Sequence, residues 1–352
     1  MPVQDWSKIK DKLDQTIISG TKVSELGAKM CPTCNRLYEH DAKTIVCKKD
    51  GTLLMKGHQV QRSIRAAVDE GLKQLNYELF EYIGEGDLTY VFEAMDTKTK
   101  NSVVVKVIKP EIIGAPRRVQ KFARALHEII DLQHPNIVNV MASGIAGVPE
   151  SGMANVYIIV EKLRAINLKQ VLSEMGTLAP YMVIEIMKQV CTTLKFAQEA
   201  GALHRNLKPS NIYVSSSDEN LRVKMSDFGI AERMFRHLEF DNDTTKTMSI
   251  YGNAGYLAPE VAFDGKEHSA QSEIYSLGCV MYQLLKGAPP FEGWNDFSAM
   301  LMHKDKQPAP FDAGLNVPPK LEAVVMRCLK KKPEERFQTF IELRQALDEA
   351  DS

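Results

Sequence analysis

The chain has 352 residues, 44% hydrophobic and 25% charged, with a formal net charge of −1, a balance typical of soluble globular proteins with room for two or three domains. Near-neutrality excludes a global field that would draw the protein to nucleic acid or an anionic membrane. The N-terminus "MPVQDWSKIKDKLDQ" lacks the apolar core of a signal peptide, and the longest apolar runs, "VYIIV" at 156–160 and "LGCVMYQLL" at 277–285, are too short to span a bilayer.

Residues 1–29 place Trp6, Ile9, Leu13 and Ile17 on one helical face. The polar face mixes acid and base, which favours a short helix packed on its own protein over one lying on a membrane. Residues 30–56 form a small cysteine-containing module. Cys31 and Cys34 make a C-x-x-C knuckle, and Cys47 opens a second half, "CKKDGT". Tetrahedral Zn2+ takes four such ligands from paired turns. The fourth position falls on Asp50, with His40 as the alternative. A ribbon that keeps its shape without metal stands against the zinc reading. Cys191, Cys279 and Cys328 lie in apolar helical patterns and are expected as packed thiols. Six cysteines in a chain of this length do not make a disulfide framework, and a cytoplasmic, reducing setting is expected.

Residues 57–76 read as a linking helix, with Val60, Ile64, Val68, Leu72 and Leu75 at helical spacing. From Tyr77 the pattern alternates β-branched runs with turns: "YELFEYIGEG", "TYVFEAMD", "SVVVKVIK". From about 167 it turns helical, as in "YMVIEIMKQVCTTLKFAQEAG". A strand-rich part followed by a helical part predicts an α+β, two-lobed domain over 77–352.

Within that domain, "IGEGDLTYVFEA" is a glycine-rich turn between two strand patterns, suited to bringing backbone N–H groups close to phosphates. "VVVKVI" places Lys106 mid-strand, where a buried ammonium needs an anion. Then follow "HPNIV", "LHRNLKPSNIY", "SDFG" and "LAPE". Each motif alone is weak, but the ordered series resembles the eukaryotic-type Ser/Thr protein kinases found in bacteria. The module at 30–56 likewise resembles the zinc ribbons attached to many bacterial kinases.

The resemblance implies a small lobe over 77–160, a large lobe over 164–352, and a set of roles. Gly84, Gly86 and Val91 belong to the loop over the nucleotide, and Lys106 holds its α/β-phosphates. Val160 is the gatekeeper, and Glu161 and Leu163 belong to the hinge that meets adenine. Lys208 steadies the γ-phosphate. Asn211 and Asp227 hold Mg2+, so ATP with Mg2+ is the implied cofactor. Glu260 and Arg336 form a bracing ion pair.

Several departures sit on the machinery. Asn206 stands where the family has its catalytic Asp, which orients the substrate hydroxyl and accepts its proton. The helix Glu that should pair with Lys106 is Ala125, with Glu128 one turn on. Asn253 replaces a Thr, Thr89 replaces the loop's third glycine, and Val104 replaces an Ala beside the adenine slot. Glu273 replaces an Asp in "EIYSLG". Together they point to a pseudokinase that signals through protein partners. The alternative is an atypical, slow Ser/Thr kinase. The lack of a basic-aromatic cluster argues against nucleic acid as a partner. Thr244, Thr245, Thr247 and Ser249 are expected in a segment open to phosphorylation, with Arg205 as the phosphate's partner.

Overall fold

A computed structural model describes residues 29–30, 37–38, 55–109, 113, 116–127, 131–147, 154–217, 220–230, 254–264 and 267–351. Three short strands come first: β1 (Lys29–Met30), β2 (Leu37–Tyr38) and β3 (Met55–Lys56). They pair antiparallel in the order β2-β1-β3. The expected metal ligands Cys31, Cys34, Cys47 and Asp50, with His40, lie outside the described residues.

β3 runs directly into helix α1 (Gly57–Gln74). Ile64, Val68 and Leu72 recur every four residues and bury against Leu79, Phe92, Val105 and Ile159 of the sheet beneath. Burying each such side chain contributes about 1.5–3 kcal/mol. Gly71 allows this close seat, since a Cβ there would stand 3.3 Å from the Ala146 Cβ; within the sheet, a Cβ at Gly144 would meet the Tyr157 hydroxyl at 2.5 Å. Leu75 departs from the expected stripe: the helix stops at Gln74, Asn76 turns left-handed at φ 65, and Leu75 is left 41% exposed.

The sheet itself is antiparallel, with order β4 (Tyr77–Glu85), β5 (Thr89–Asp96), β6 (Ser102–Ile108), β8 (Asn155–Glu161), β7 (Val140–Ala146). α1 covers one face. Val119, Phe122 and Leu126 of α2 (Pro116–His127) join Ile108, Val156 and Ile158 in the core on the other face. β6 and β8 are therefore buried on both sides, which is why they read as continuous apolar runs rather than alternating ones. Lys106 is the one charge in that run of β6.

The second half is helical around α6 (Ala270–Lys286), which is buried along most of its length. Ser269 caps it, accepting from the Ser272 amide, and Gly287 ends it at φ 87. Around it lie α3 (Leu168–Met175), α4 (Pro180–Glu199), α5 (Pro259–Phe263), α7 (Asp296–Asp305), α8 (Pro319–Cys328) and α9 (Phe340–Asp351). A small sheet of β9 (Ile166–Asn167), β10 (Ile212–Ser217) and β11 (Asn220–Met225) completes the lobe. The expected α+β, two-lobed plan is the one observed. Cys191, Cys279 and Cys328 are fully buried, and burial pushes the Cys191 thiol up to about 12. Arg336 meets Glu260 through both guanidinium nitrogens at 2.7 and 2.8 Å, and donates further to the carbonyls of Lys330, Lys331 and Gln271. Among the described residues no helix is long and apolar enough to cross a membrane.

Candidate functional site

The loop between α4 and β10 is held mainly by its backbone. Arg205 takes a left-handed conformation (φ 62), and its N–H donates to Glu273 Oε1 of α6 at 2.6 Å. The longer Glu side chain thus reaches the loop backbone from a position that is 2% exposed. The Asn206 N–H donates to His204 Nδ1 at 3.3 Å, and Asn211 Nδ2 donates to the Asn206 carbonyl at 2.9 Å. The Ser226 N–H then donates to the Asn211 carbonyl at 2.9 Å, fastening the segment before Asp227 to the same loop. His204 packs on Phe228 at 4.8 Å between ring centroids. Burial lowers its imidazole to about 4, so it is neutral at pH 7.

Asn206 is 2% exposed, and its Oδ1 has no hydrogen-bond partner. A buried acceptor left unpaired costs about 1–3 kcal/mol. Around it the loop is tied through the Arg205, Asn206 and Ser226 N–H groups.

Asp227 also sits at positive φ (61), and its carboxylate contacts the Lys106 ammonium. Burial, the largest single influence, would lower the Lys106 pKa, but the charge of Asp227, the hydrogen bond to it and the nearby Tyr213 together outweigh burial and the pKa is raised. Lys106 is therefore protonated, and among the described residues its partner is Asp227 and not a helix carboxylate. α2 could not supply one: "PRRVQKFARALH" contains no acid, and Glu128 lies outside the described residues.

Lys208 is 7% exposed. Burial lowers its ammonium to about 8, with Asp227 acting in the opposite direction. Its direct contact is the carboxylate of Asp87, from the glycine-rich turn across the cleft. Asp87 was not singled out from the sequence. The available signal was an acid immediately after the second glycine of "GEGD".

At the back of the cleft a small pocket is lined by Lys106, Ile137, Val140, Val160, Asp227 and Phe228. Val160 is 5% exposed and pairs in register with Val104, which is partly buried against the same core cluster as Leu163. The Glu161 side chain accepts from the Asn139 N–H at 2.8 Å and from Lys224 at 2.5 Å. Gly84 and Val91 form a register pair between β4 and β5.

The structure thus brings Lys106, Asn206, Lys208, Asn211 and Asp227 to one cleft beneath the turn carrying Gly84 and Gly86. Asn253, Thr244, Thr245, Thr247 and Ser249 lie outside the described residues. Among the described residues no group of three or more His, Cys, Asp or Glu is arranged to hold a metal ion.

Residues 77–348 match the family described as "Protein kinase domain". The chain is 36% identical over 269 residues to the serine/threonine-protein kinase PknB of Mycolicibacterium smegmatis, covering 76% of this chain and 42% of that one. It is 36% identical over 271 residues to PknB of Mycobacterium tuberculosis, with the same coverage. It spans about two fifths of the length of these curated relatives. Among solved structures, a double mutant of the PknI kinase domain of Mycobacterium tuberculosis aligns at TM-score 0.60 and 22% identity, covering 79% of this chain and 96% of that one. Rad53 in complex with AMP-PNP aligns at TM-score 0.60 and 21% identity, covering 83% and 70%.

Proposed function

The chain belongs to the protein kinase domain family, and from that premise we propose that it is a signalling protein of kinase fold that holds a magnesium nucleotide and transfers its terminal phosphate very slowly or not at all. One observation carries the reading. Asn206, buried with its Oδ1 unpartnered, occupies the centre of an otherwise complete loop. An amide cannot take up a proton at neutral pH, and losing a general base costs ~10²–10⁴-fold. Positioning and charge, on which phosphoryl transfer mostly depends, are the contributions that would survive.

The residues present fit Mg2+ and ATP. A hard cation takes oxygen ligands, and the Asp227 carboxylate and Asn211 Oδ1 are two such oxygens on adjoining segments. Asn211 spends its Nδ2 on the Asn206 carbonyl, which leaves Oδ1 for a cation. Lys106 supplies a permanent positive charge beside them. The group would supply a transferable phosphoryl, and this chain would orient it without an efficient base to receive the hydroxyl proton. A slow Ser/Thr kinase is the second reading, favoured by the survival of Lys106, Lys208, Asn211 and Asp227 in one cleft.

The test is a melting-temperature shift with millimolar ATP and Mg2+, run beside phosphate transfer to generic Ser/Thr peptides. A ligand confined to the folded state raises stability by roughly 2.7 kcal/mol at 100-fold excess over Kd. A shift lost in Asp227→Ala, without turnover, supports the reading; robust turnover by the unaltered chain overturns it. For the N-terminal module we propose Zn2+ on Cys31, Cys34, Cys47 and Asp50, with His40 ranked behind. The antiparallel pairing of β1 with β2, the strands on either side of the C-x-x-C sequence, supports this. Stoichiometric zinc, lost in Cys31→Ser, is the expected metal analysis. Segments 1–29 and 30–56 are proposed as docking sites for protein partners.

A further inference from the structure

The glycine-rich turn is closed by its own bonds. The Gly86 N–H, a group that such turns can offer to a phosphate, donates to the Thr89 carbonyl at 2.8 Å. Leu88, at the tip, is 4% exposed and packs into the small-lobe core with Ile108, Phe122, Val138 and Ile230. Thr89, where the family has a glycine, is 3% exposed and in register with Ile108. The turn is thus closed across Asp87 by its own bond and anchored inward just after it by Leu88 and Thr89. Its two acids face different lobes. Glu85 lies 3.6 Å from Lys109 of the same sheet, while Asp87 crosses the cleft to Lys208.

The Lys208 side chain is 8% exposed, too buried for water to solvate its ammonium freely, and the anion it meets is the chain's own carboxylate. Lys106 is matched in the same way by Asp227. Two lysines and two carboxylates therefore cancel in formal charge across the cleft. A third phosphate would need Lys208 and would have to displace Asp87 and then lie beside it. A nucleotide ending at the second phosphate makes no such demand.

We propose that Asp87 acts as an internal anion in place of a nucleotide's terminal phosphate, making the cleft selective for nucleoside diphosphates over triphosphates. Asp87 is then a specificity-determining residue, and the inference rests on the reading that this cleft takes a nucleotide.

The experiment uses the full chain and measures Mg-ADP and Mg-ATP binding by calorimetry for the unaltered protein, Asp87→Asn, Lys208→Met and the double variant. Amide hydrogen exchange over residues 84–89 is read without nucleotide. The unaltered protein is expected to bind ADP at least as tightly as ATP. Asp87→Asn should tighten ATP by ~10-fold, a change of about 1.4 kcal/mol, while ADP moves much less. The gain should vanish in the double variant, because it depends on freeing Lys208. Exchange over 84–89 should quicken in Asp87→Asn. An ATP-to-ADP ratio unchanged by Asp87→Asn, or a gain that persists without Lys208, overturns the selectivity while leaving the nucleotide reading intact. Absence of any nucleotide binding in both the unaltered protein and Asp87→Asn overturns the nucleotide reading and the selectivity with it. Unchanged exchange overturns the Asp87–Lys208 tie itself, whatever the nucleotides do.

Discussion

Two kinds of ion pair hold this molecule, and they differ in what each leaves over. In the large lobe, Glu260 meets Arg336 through two parallel contacts, and the guanidinium's remaining N–H groups go to three carbonyls. Arg336 is 0% exposed. Nothing remains for a ligand to claim. In the cleft, Lys106 and Lys208 each hold one carboxylate through a point charge with rotatable donors. Those pairs can exchange partners, and the cleft keeps an acceptor, Asn206 Oδ1, with none. The brace uses every guanidinium N–H, whereas each cleft lysine holds a single carboxylate that another anion can replace.

The comparison breaks first at its strongest point. Arg336→Met should cost ~3–5 kcal/mol, because it leaves Glu260 buried and unpaired. Lys106→Met should cost on the order of 1–2 kcal/mol, since its Asp227 partner borders the open cleft. Urea unfolding of both variants decides the matter, and a larger loss at Lys106 would remove the distinction.

Next comes the cleft's chemistry. Asn206→Asp restores a carboxylate worth ~10²–10⁴-fold in family chemistry, yet the expected gain in phosphate transfer falls well short of that. α2 still carries no acid to free Asp227 from Lys106. A full recovery of turnover in the peptide assay would show that the base alone was missing.

Acid acts on both regions. Burial holds His204 at about 4, beside Asp227 and Lys106. It holds His268 at about 3 beside Arg205, and His303 at about 3 beside Lys331. Their folded pKa values lie below the unfolded 6.5, so the unfolded chain binds more protons as pH falls. The stability is fully present above 6.5 and is lost below it, at up to about 1.4 kcal/mol per pH unit for each histidine. The urea midpoint should therefore drop between pH 6.5 and 5. A flat midpoint there would mean these imidazoles are not held neutral. The smallest effect belongs to Val104→Ala. If the two methyls crowd the adenine slot beside Val160, their removal should improve nucleotide binding by about 1 kcal/mol, seen as a larger melting shift.

Much of this was legible in the sequence. β-branched runs separated by turns marked the sheet, and Lys106, breaking an apolar run, announced a buried cation in need of an anion. The order of short motifs marked the cleft. What could not be read was which anion each lysine takes. Lys106 to Asp227 spans 121 positions of the chain, and such a pairing leaves no periodicity behind. Asp87 was hidden for a related reason: an acid in a turn is ordinary, and only the fold brings it to Lys208. Leu75 was misplaced because helical spacing continues past the point where Asn76 reverses the backbone.

The seat of α1 has a mechanical consequence. Its 18 residues run on from β3 without an intervening loop, and a helix of that length is a rod of roughly 27 Å. One end is continuous with the small cysteine-module sheet, and the shaft is pressed onto the back of the sheet that carries Lys106. A torque applied at the N-terminal end cannot be absorbed by a flexible tether. It is delivered to the outer face of the small lobe, behind the strands that frame the cleft.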